Sequence, residues 1–519
     1  MEWRPQWDID QREPAWASST AGQNWHNPFG DQKYLWGNTP AIDILHLEEH
    51  EGADHQDNVK LLFAASGDLR NVVKTVEAVP TTFAGRVLSC INDQEFLVVA
   101  RNVCLLLFAL GMQHERQDPQ PSEMEDDAEA LIHLWYSAFL PADVLSLFQT
   151  RVLPMIGDVC DRITSGEEES TLGQTWHFPS GATLKLVLMT NEWVALRDFL
   201  SNPPELSRKD AHRLRAAVYF APEREDYRHR WYFNDETPFM RIAKQRFRED
   251  GLLLPFGHPR GTFTEPNPLL FTSSQKWPMD DKADPLTGWS VWDVHRVSSA
   301  ASQDAYGKLF KHLRGVILSF LKHINTGKAD FEIYCLDIKN LSAHLTSNAY
   351  NRIEVPNVSD AGYLGIRATV QALAPLLQPR HQNPHATLIT LFLNAVMEVV
   401  KMGDERDSAA GIANLSGYLP FPQLLPAPSS NDPFLLRLWD ARSLVLEATK
   451  YFEQYERVHR FDQVARDLNV KKVKNHITEA WPTRLKLRKG QTGYKEEFNV
   501  LLGSNLSGLE HYVEWQRYD

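Results

Sequence analysis

Short runs of consecutive apolar residues, each closed by a turn former, mark both ends of the chain. Asn58-Val59-Lys60-Leu61-Leu62-Phe63-Ala64-Ala65 stops at Ser66-Gly67-Asp68, after which Leu69, Val72, Val73 and Val76 recur at helical spacing. A second run, Arg86 to Ile91, ends at Asn92-Asp93 and leads into Phe96, Val99, Val103 and Leu106. A strand buried on both faces reads as an unbroken apolar run rather than an alternation. The order is therefore strand, helix, strand, helix, as in a parallel sheet. The pattern returns far downstream. Phe331 to Leu336 ends in Asp337, Tyr350 to Val355 ends in Pro356-Asn357, Val370, Leu373 and Leu377 mark a helix, and Ala386 to Phe392 is a fifth strand. Residues 58–65, 86–91, 331–336, 350–355 and 386–392 are expected to form one mainly parallel sheet.

Between the two halves the pattern changes. Asp118 to Asp127 is acidic and proline-containing and reads as a loop. Residues 128–164 and 190–220 carry helical spacing, Trp176 to Met189 reads as a hairpin about Pro179-Ser180-Gly181, and residues 223–295 show little periodicity. Ser302 to Ile324 is an amphipathic helix. The chain divides accordingly into an N-terminal surface arm (1–36), a first half-core (37–112), a mainly helical insertion with an irregular segment (113–325), a second half-core (326–418) and a C-terminal helical region (419–519). A short helix is expected over Ala41 to Leu47, since Pro40 suits the first helical position. A loop is expected at 419–433, followed by one long helix over 434–457. The insertion should cover the C-terminal edge of the sheet and roof any pocket beside Gly67.

Composition narrows the function. The net charge of −13 argues against nucleic acid as a partner, since such proteins carry a basic field. The lysines and arginines after Lys471 then read as a solvated face. Cys90, Cys104, Cys160 and Cys335 are far apart and form no CxxC pair, which excludes a zinc ribbon and suits a reducing compartment. No signal-peptide pattern opens the chain, and Arg101 and Asn102 interrupt the apolar run Phe96–Met112. The expected location is the cytoplasm, or the nucleus, with no membrane partner. His46-Leu47-Glu48-Glu49-His50 matches an inverted H-x-x-E-H zinc pattern but lies in a short polar stretch. His381 and His385 are separated by Pro384, which opposes a helix. Neither is assigned a metal. No GxSxG elbow and no GxxxxGK[ST] loop occurs. The fifteen tryptophans suit packing of the irregular region, while those within residues 1–36 suit a partner as well.

The chemistry-bearing residues follow the strands. In an open parallel sheet, ligands bind outside the strand C-termini at the switch point of the strand order. Ser66, Gly67, Asp68, Asp93, Asp337 and Asn357 all sit there and are the candidate ligand-binding residues. Gly67 permits close backbone approach, and a helix start favours an anionic group. Each also has a structural use: Gly67 in a positive-φ turn, Asp68 and Asp93 as helix N-caps, Asp337 as a turn former.

This succession resembles the class I S-adenosylmethionine-dependent methyltransferase fold, whose first loop reads G-x-G-x-G. Ala65-Ser66-Gly67-Asp68-Leu69 keeps only the middle glycine. The resemblance implies Asp93 as the ribose-binding carboxylate, Asp337 as an acid near the adenine amino group, and S-adenosylmethionine as cofactor. The segments GNTPAIDIL, LLFAASGDLRNVVKTV, INDQEFLVVARNVCLL, NRIEVPNVSDAGYLG and NPHATLITLFLNAV are similar to a fungal family of uncharacterised proteins. Its N-terminal domain accompanies MYND zinc fingers and also opens the axonemal dynein preassembly factor family. The MYND cysteines are absent here. The expected fold class is α/β: a Rossmann-like, methyltransferase-type parallel sheet split by a large, mainly helical insertion. Two functions follow from the resemblance: an S-adenosylmethionine-binding methyltransferase-like protein, or a non-catalytic scaffold that keeps the fold and assembles protein complexes with a protein partner.

Overall fold

The computed structural model describes residues 3–17, 28–52, 54–115, 121–163, 170–201, 205–235, 237–401, 414–419, 429 and 431–518. Eleven strands are found among them: β1 (Val59–Phe63), β2 (Val87–Asp93), β3 (Phe139–Pro141), β4 (Thr171–His177), β5 (Thr183–Met189), β6 (Phe263–Pro266), β7 (Ala329–Cys335), β8 (Arg352–Val355), β9 (Thr387–Phe392), β10 (Val470–Val473) and β11 (His511–Arg517). Nine form one sheet in the order β10-β11-β9-β8-β1-β2-β7-β5-β4, while β3 and β6 pair separately.

The five apolar runs are the centre of this sheet. β9, β8, β1, β2 and β7 are consecutive neighbours and all parallel. The unbroken runs have a packing cause. Leu61 and Phe63 enter one core cluster and Leu62 and Ala64 another, so both faces of β1 are buried. Burying both faces removes the need for polar positions in alternation.

The sheet is wider than the five runs. On one side β5 adds parallel to β7, and β4 closes the hairpin antiparallel to β5. On the other, β11 inserts antiparallel beside β9, with β10 antiparallel to it. The last two come from the region expected to be helical. The β11 sequence hides its burial because Glu514 and Gln516 are buried polar residues within it. Glu514 is satisfied by main-chain N–H groups of His476, Ile477 and Thr478, so a charge can sit inside the sheet layer.

Residues 113–325 carry helices together with β3 to β6, of which β4 and β5 extend the central sheet, and the amphipathic helix Ala305–Asn325 packs on the helices Arg70–Ala78 and Pro121–Tyr136 before leading into β7. Several expectations are corrected. Residues 121–127 are not loop; they open the helix Pro121–Tyr136, whose acidic first turn suits the positive helix N-terminus. Residues 223–295 contain the helices Glu225–Phe233 and Pro238–Asp250. Their periodicity is masked because the buried positions include Arg228, Arg230, Lys244 and Arg248. Ala41 to Leu47 is not a helix; only Leu47–His50 is. The N–H of Ile42 goes to Asn71 Oδ1 and that of Ile44 to Thr75 Oγ1, so this segment binds the neighbouring helix instead of itself. The long C-terminal helix is two, Pro433–Val445 and Ala448–Val458. Most of the expected loop at 419–433 lies outside the described residues. The arm is tied down: Trp7 is buried, and Arg12 makes a bidentate pair with Asp226. Among the described residues no helix is long and apolar enough to cross a membrane.

Candidate functional site

The C-terminal ends of β1, β2 and β7 converge, and Asn92 joins them. Its side-chain N–H groups donate to the carbonyls of Ala64 (3.0 Å) and Leu336 (2.9 Å), and its Oδ1 accepts from Leu336 N (3.1 Å). The turn after β1 is held to the turn after β2. Ser66 N donates to Asn92 O at 2.8 Å, and Gly67 N donates to Asp93 Oδ2 at 2.9 Å. Asn102 Nδ2 donates to Gly67 O at 2.7 Å. Gly67 has φ +56°, a left-handed conformation, and a Cβ there would meet only Arg70, at 4.0 Å. Its glycine is required by the turn rather than by crowding.

Both acids of this edge are engaged by the chain itself. Asp93 Oδ1 accepts the N–H of Glu95 at 2.9 Å while Oδ2 holds Gly67. Burial pushes the Asp93 carboxyl up, and these main-chain N–H groups pull it back. Asp68 is buried; one oxygen accepts from Arg70 Nη1 at 2.6 Å and the other from Gly37 N at 3.0 Å. Arg70 reaches on to Thr39, through its carbonyl (2.8 Å) and hydroxyl (2.9 Å). Residues 37–45 therefore lie directly on the loop and helix that follow β1. The insertion backs this segment: Ala41 N donates to Gly288 O, and a Cβ on Gly288 would stand 3.5 Å from Arg70 Cδ.

The remaining two candidates do not join this knot. Asp337 is exposed and accepts from Lys339 N at 2.9 Å, capping a 3₁₀ turn. Asn357 opens another 3₁₀ turn, and its carbonyl accepts from Asp360 N. Hence Ser66, Gly67, Asp68 and Asp93 come together, while Asp337 and Asn357 serve as turn residues on neighbouring strand ends.

Two buried acids near the switch point between β1 and β8 were missed. Glu354 stands on β8 opposite Phe63. It is fully enclosed, and burial pushes its carboxyl up to about 7, with Arg70 and a hydrogen bond from Asn71 opposing. Its Oε2 has no hydrogen-bond partner. Asp360 accepts three bonds on Oδ2, from Leu393 N, Asn394 N and Asn394 Nδ2. The available signal for Glu354 was a pair of charges, Arg352 and Glu354, inside the strand run Arg352-Ile353-Glu354-Val355.

At the opposite, N-terminal ends of β8 and β9, histidines from three segments meet. His50 and His476 stand 3.0 Å apart through Nε2 and Nδ1, and the ring of His385 is 5.7 Å from that of His50. His50 Nδ1 faces the His46 carbonyl at 3.0 Å, which can only accept, so Nδ1 carries the proton and Nε2 receives one from His476. Beneath them the fully buried Arg352 pairs with Glu51 at 2.9 Å. Among the described residues no group of three His, Cys, Asp or Glu could hold a metal ion.

A nucleoside cofactor on the C-terminal edge would need the Gly67 N–H and the Asp93 carboxylate, and these already bond each other. The Gly67 N–H is taken by Asp93, while the Asp93 carboxylate, with about four lone-pair sites, has accepted one main-chain N–H on each oxygen. No curated protein and no solved structure matches the chain. A family model described as a domain of unknown function (DUF4470) matches residues 35–140, the stretch that begins with the segment folded over Asp68 and Arg70 and runs through β1, β2 and the first helix of the insertion.

Proposed function

We propose that this chain is a non-catalytic scaffold that keeps a methyltransferase-type, Rossmann-like sheet and serves in assembling protein complexes. The observation that carries the reading is the mutual engagement of Gly67 and Asp93, with Asp68 bound to Arg70 and Gly37. A ligand would have to displace these charge-assisted bonds, each worth about 1.5–3 kcal/mol. A protein partner suits the surface better than nucleic acid does, given the net charge of −13. The helix Pro238–Asp250 also exposes Phe239 and Ile242, beside a cleft of about 1050 Å³ walled by Trp3, Phe233 and Phe434 and rimmed by Arg241, Arg246, Glu249 and Arg437. Exposed apolar patches of this kind mark protein contact sites.

One observation favours the second reading, an S-adenosylmethionine-dependent methyltransferase. The order β7-β2-β1-β8-β9 is that of a doubly wound sheet with its switch point between β1 and β8. β11 runs reversed between β9 and β10, antiparallel to both. Isothermal titration with S-adenosylmethionine and S-adenosylhomocysteine separates the two. The scaffold reading expects no heat from either, and expects Asp93→Ala to lower stability by about 1–3 kcal/mol through two lost main-chain bonds. Micromolar binding that weakens in Asp93→Ala at a temperature where the variant stays folded would support the methyltransferase reading instead.

A further inference from the structure

The two outer edges of the sheet are built differently. β10 is four residues long and carries the exposed Lys471 and Lys472, a charged edge that resists strand addition. β4 is seven residues long, Thr171-Leu172-Gly173-Gln174-Thr175-Trp176-His177, with no Lys, Arg, Asp or Glu. The hairpin sets which main-chain groups face outward. Phe178 N donates to Ala182 O, and Thr190 N to Ser170 O, so the even-numbered residues bond β5. Thr171, Gly173, Thr175 and His177 then point their N–H and C=O groups away from the sheet, and all four are exposed. Among the described residues no strand pairs with this edge. The Thr175 carbonyl accepts from its neighbour's side chain, Gln174 Nε2, at 2.9 Å.

We propose that this edge pairs with a second copy of the chain, β4 against β4 in antiparallel register about a two-fold axis at Gln174. Self-complementarity selects this occupant. With Gln174 opposite itself, Thr171 faces His177 and Gly173 faces Thr175 of the second copy. Every outward residue is then matched, giving about eight main-chain hydrogen bonds. On the other face Leu172 lies opposite Trp176 of the second copy, twice, and these close non-hydrogen-bonded pairs favour aromatic against aliphatic side chains. Both residues are half-buried in the single chain, and Trp176 already packs near Trp193 at 6.0 Å. Pairing completes their burial. β4 itself brings no charge to the axis; the exposed Arg162, whose Nη2 donates to Gln174 Oε1 at 2.6 Å, is the charge that the pairing must turn outward. The Gln174 bond to the Thr175 carbonyl is exchanged for the N–H of Gly173 in the second copy.

Sedimentation velocity of the full chain across a concentration series tests this, together with two kinds of variant. The wild type is expected to dimerise. Thr175→Pro removes one outward N–H per chain without touching the β4–β5 ladder, and should weaken the dimer at least tenfold. Thr175→Lys, which keeps the N–H but sets like charges diagonally across the axis, carries the same expectation should the proline variant misfold. Register is read by oxidation. Gln174→Cys should yield a disulfide-linked dimer, because a non-hydrogen-bonded antiparallel pair meets disulfide geometry. Gly173→Cys, displaced from the axis, should not cross-link beyond the wild-type level. A chain monomeric at every concentration overturns the proposal. So does a dimer indifferent to both Thr175 variants, or one cross-linked through position 173 instead of 174.

Discussion

The two ends of the central strands handle their polar groups in opposite ways. At the C-terminal ends of β1 and β2, Asp68 and Asp93 are locked by main-chain N–H groups and one buried arginine, close in sequence or joined across adjacent turns. At the N-terminal ends of β8 and β9, His50, His385 and His476 meet from three distant segments and stay partly open to solvent. The first is a structural knot whose charges are neutralised in place. The second is a cluster of rings in which burial disfavours the charged form of His385 and His476. Position at a strand C-terminus is thus no guarantee of an available carboxylate; what matters is which N–H groups the adjacent turn aims at it.

The largest test of this contrast is Asp68→Ala. It strands the buried Arg70 without its counter-charge, and breaking a buried pair by removing one partner costs about 3–5 kcal/mol. Urea denaturation at pH 7 should show this loss. A change under about 1 kcal/mol would mean the knot is not structural.

Glu354 gives the next largest effect, and its sign is unusual for a carboxylate. Its folded value, raised by burial from 4.5 to about 7, means the native state holds a proton that the unfolded chain releases. Stability therefore falls as pH rises from about 4.5 to about 7, by on the order of 3 kcal/mol, and levels off above. Glu354→Gln should abolish that slope and outlast the wild type at pH 8. Equal slopes in variant and wild type would place the charge elsewhere.

The histidine cluster should slope the other way. Burial lowers His476 and His385 below the ordinary imidazole value; for His476, Glu514 opposes while His50, Arg352 and His385 reinforce, and for His385, Glu51 opposes while Arg352 and His50 reinforce. Stability is then complete above about pH 6.5 and declines as pH falls through the lowered folded values. His476→Asn should flatten the acid limb between pH 7 and 5 in the same denaturation series. A steeper limb would show that the cluster binds its proton favourably.

The smallest effect belongs to Gly67→Ala. With open space around the added methyl, only the left-handed backbone is penalised, by about 1 kcal/mol. A loss of several kcal/mol would point instead to close packing of that turn.

The amino-acid sequence by itself determined the five central strands, because strands buried on both faces must be apolar without interruption, and this is a local property. It also determined the turn at Gly67 and the hairpin that yields β4 and β5. It missed β11, the helix Glu225–Phe233 and the role of His476, where buried charges stand in apolar positions. Only the tertiary structure decided those, since Glu514, Arg230 and Arg352 are tolerable inside solely through partners supplied by remote segments. The same holds for the candidate site. Residue type and position placed Ser66, Gly67, Asp68 and Asp93 on one edge. Whether their groups face a ligand or one another depends on how the turns after β1 and β2 meet and, for Asp68, on Gly37 reaching it from a remote segment, contacts that no local pattern encodes.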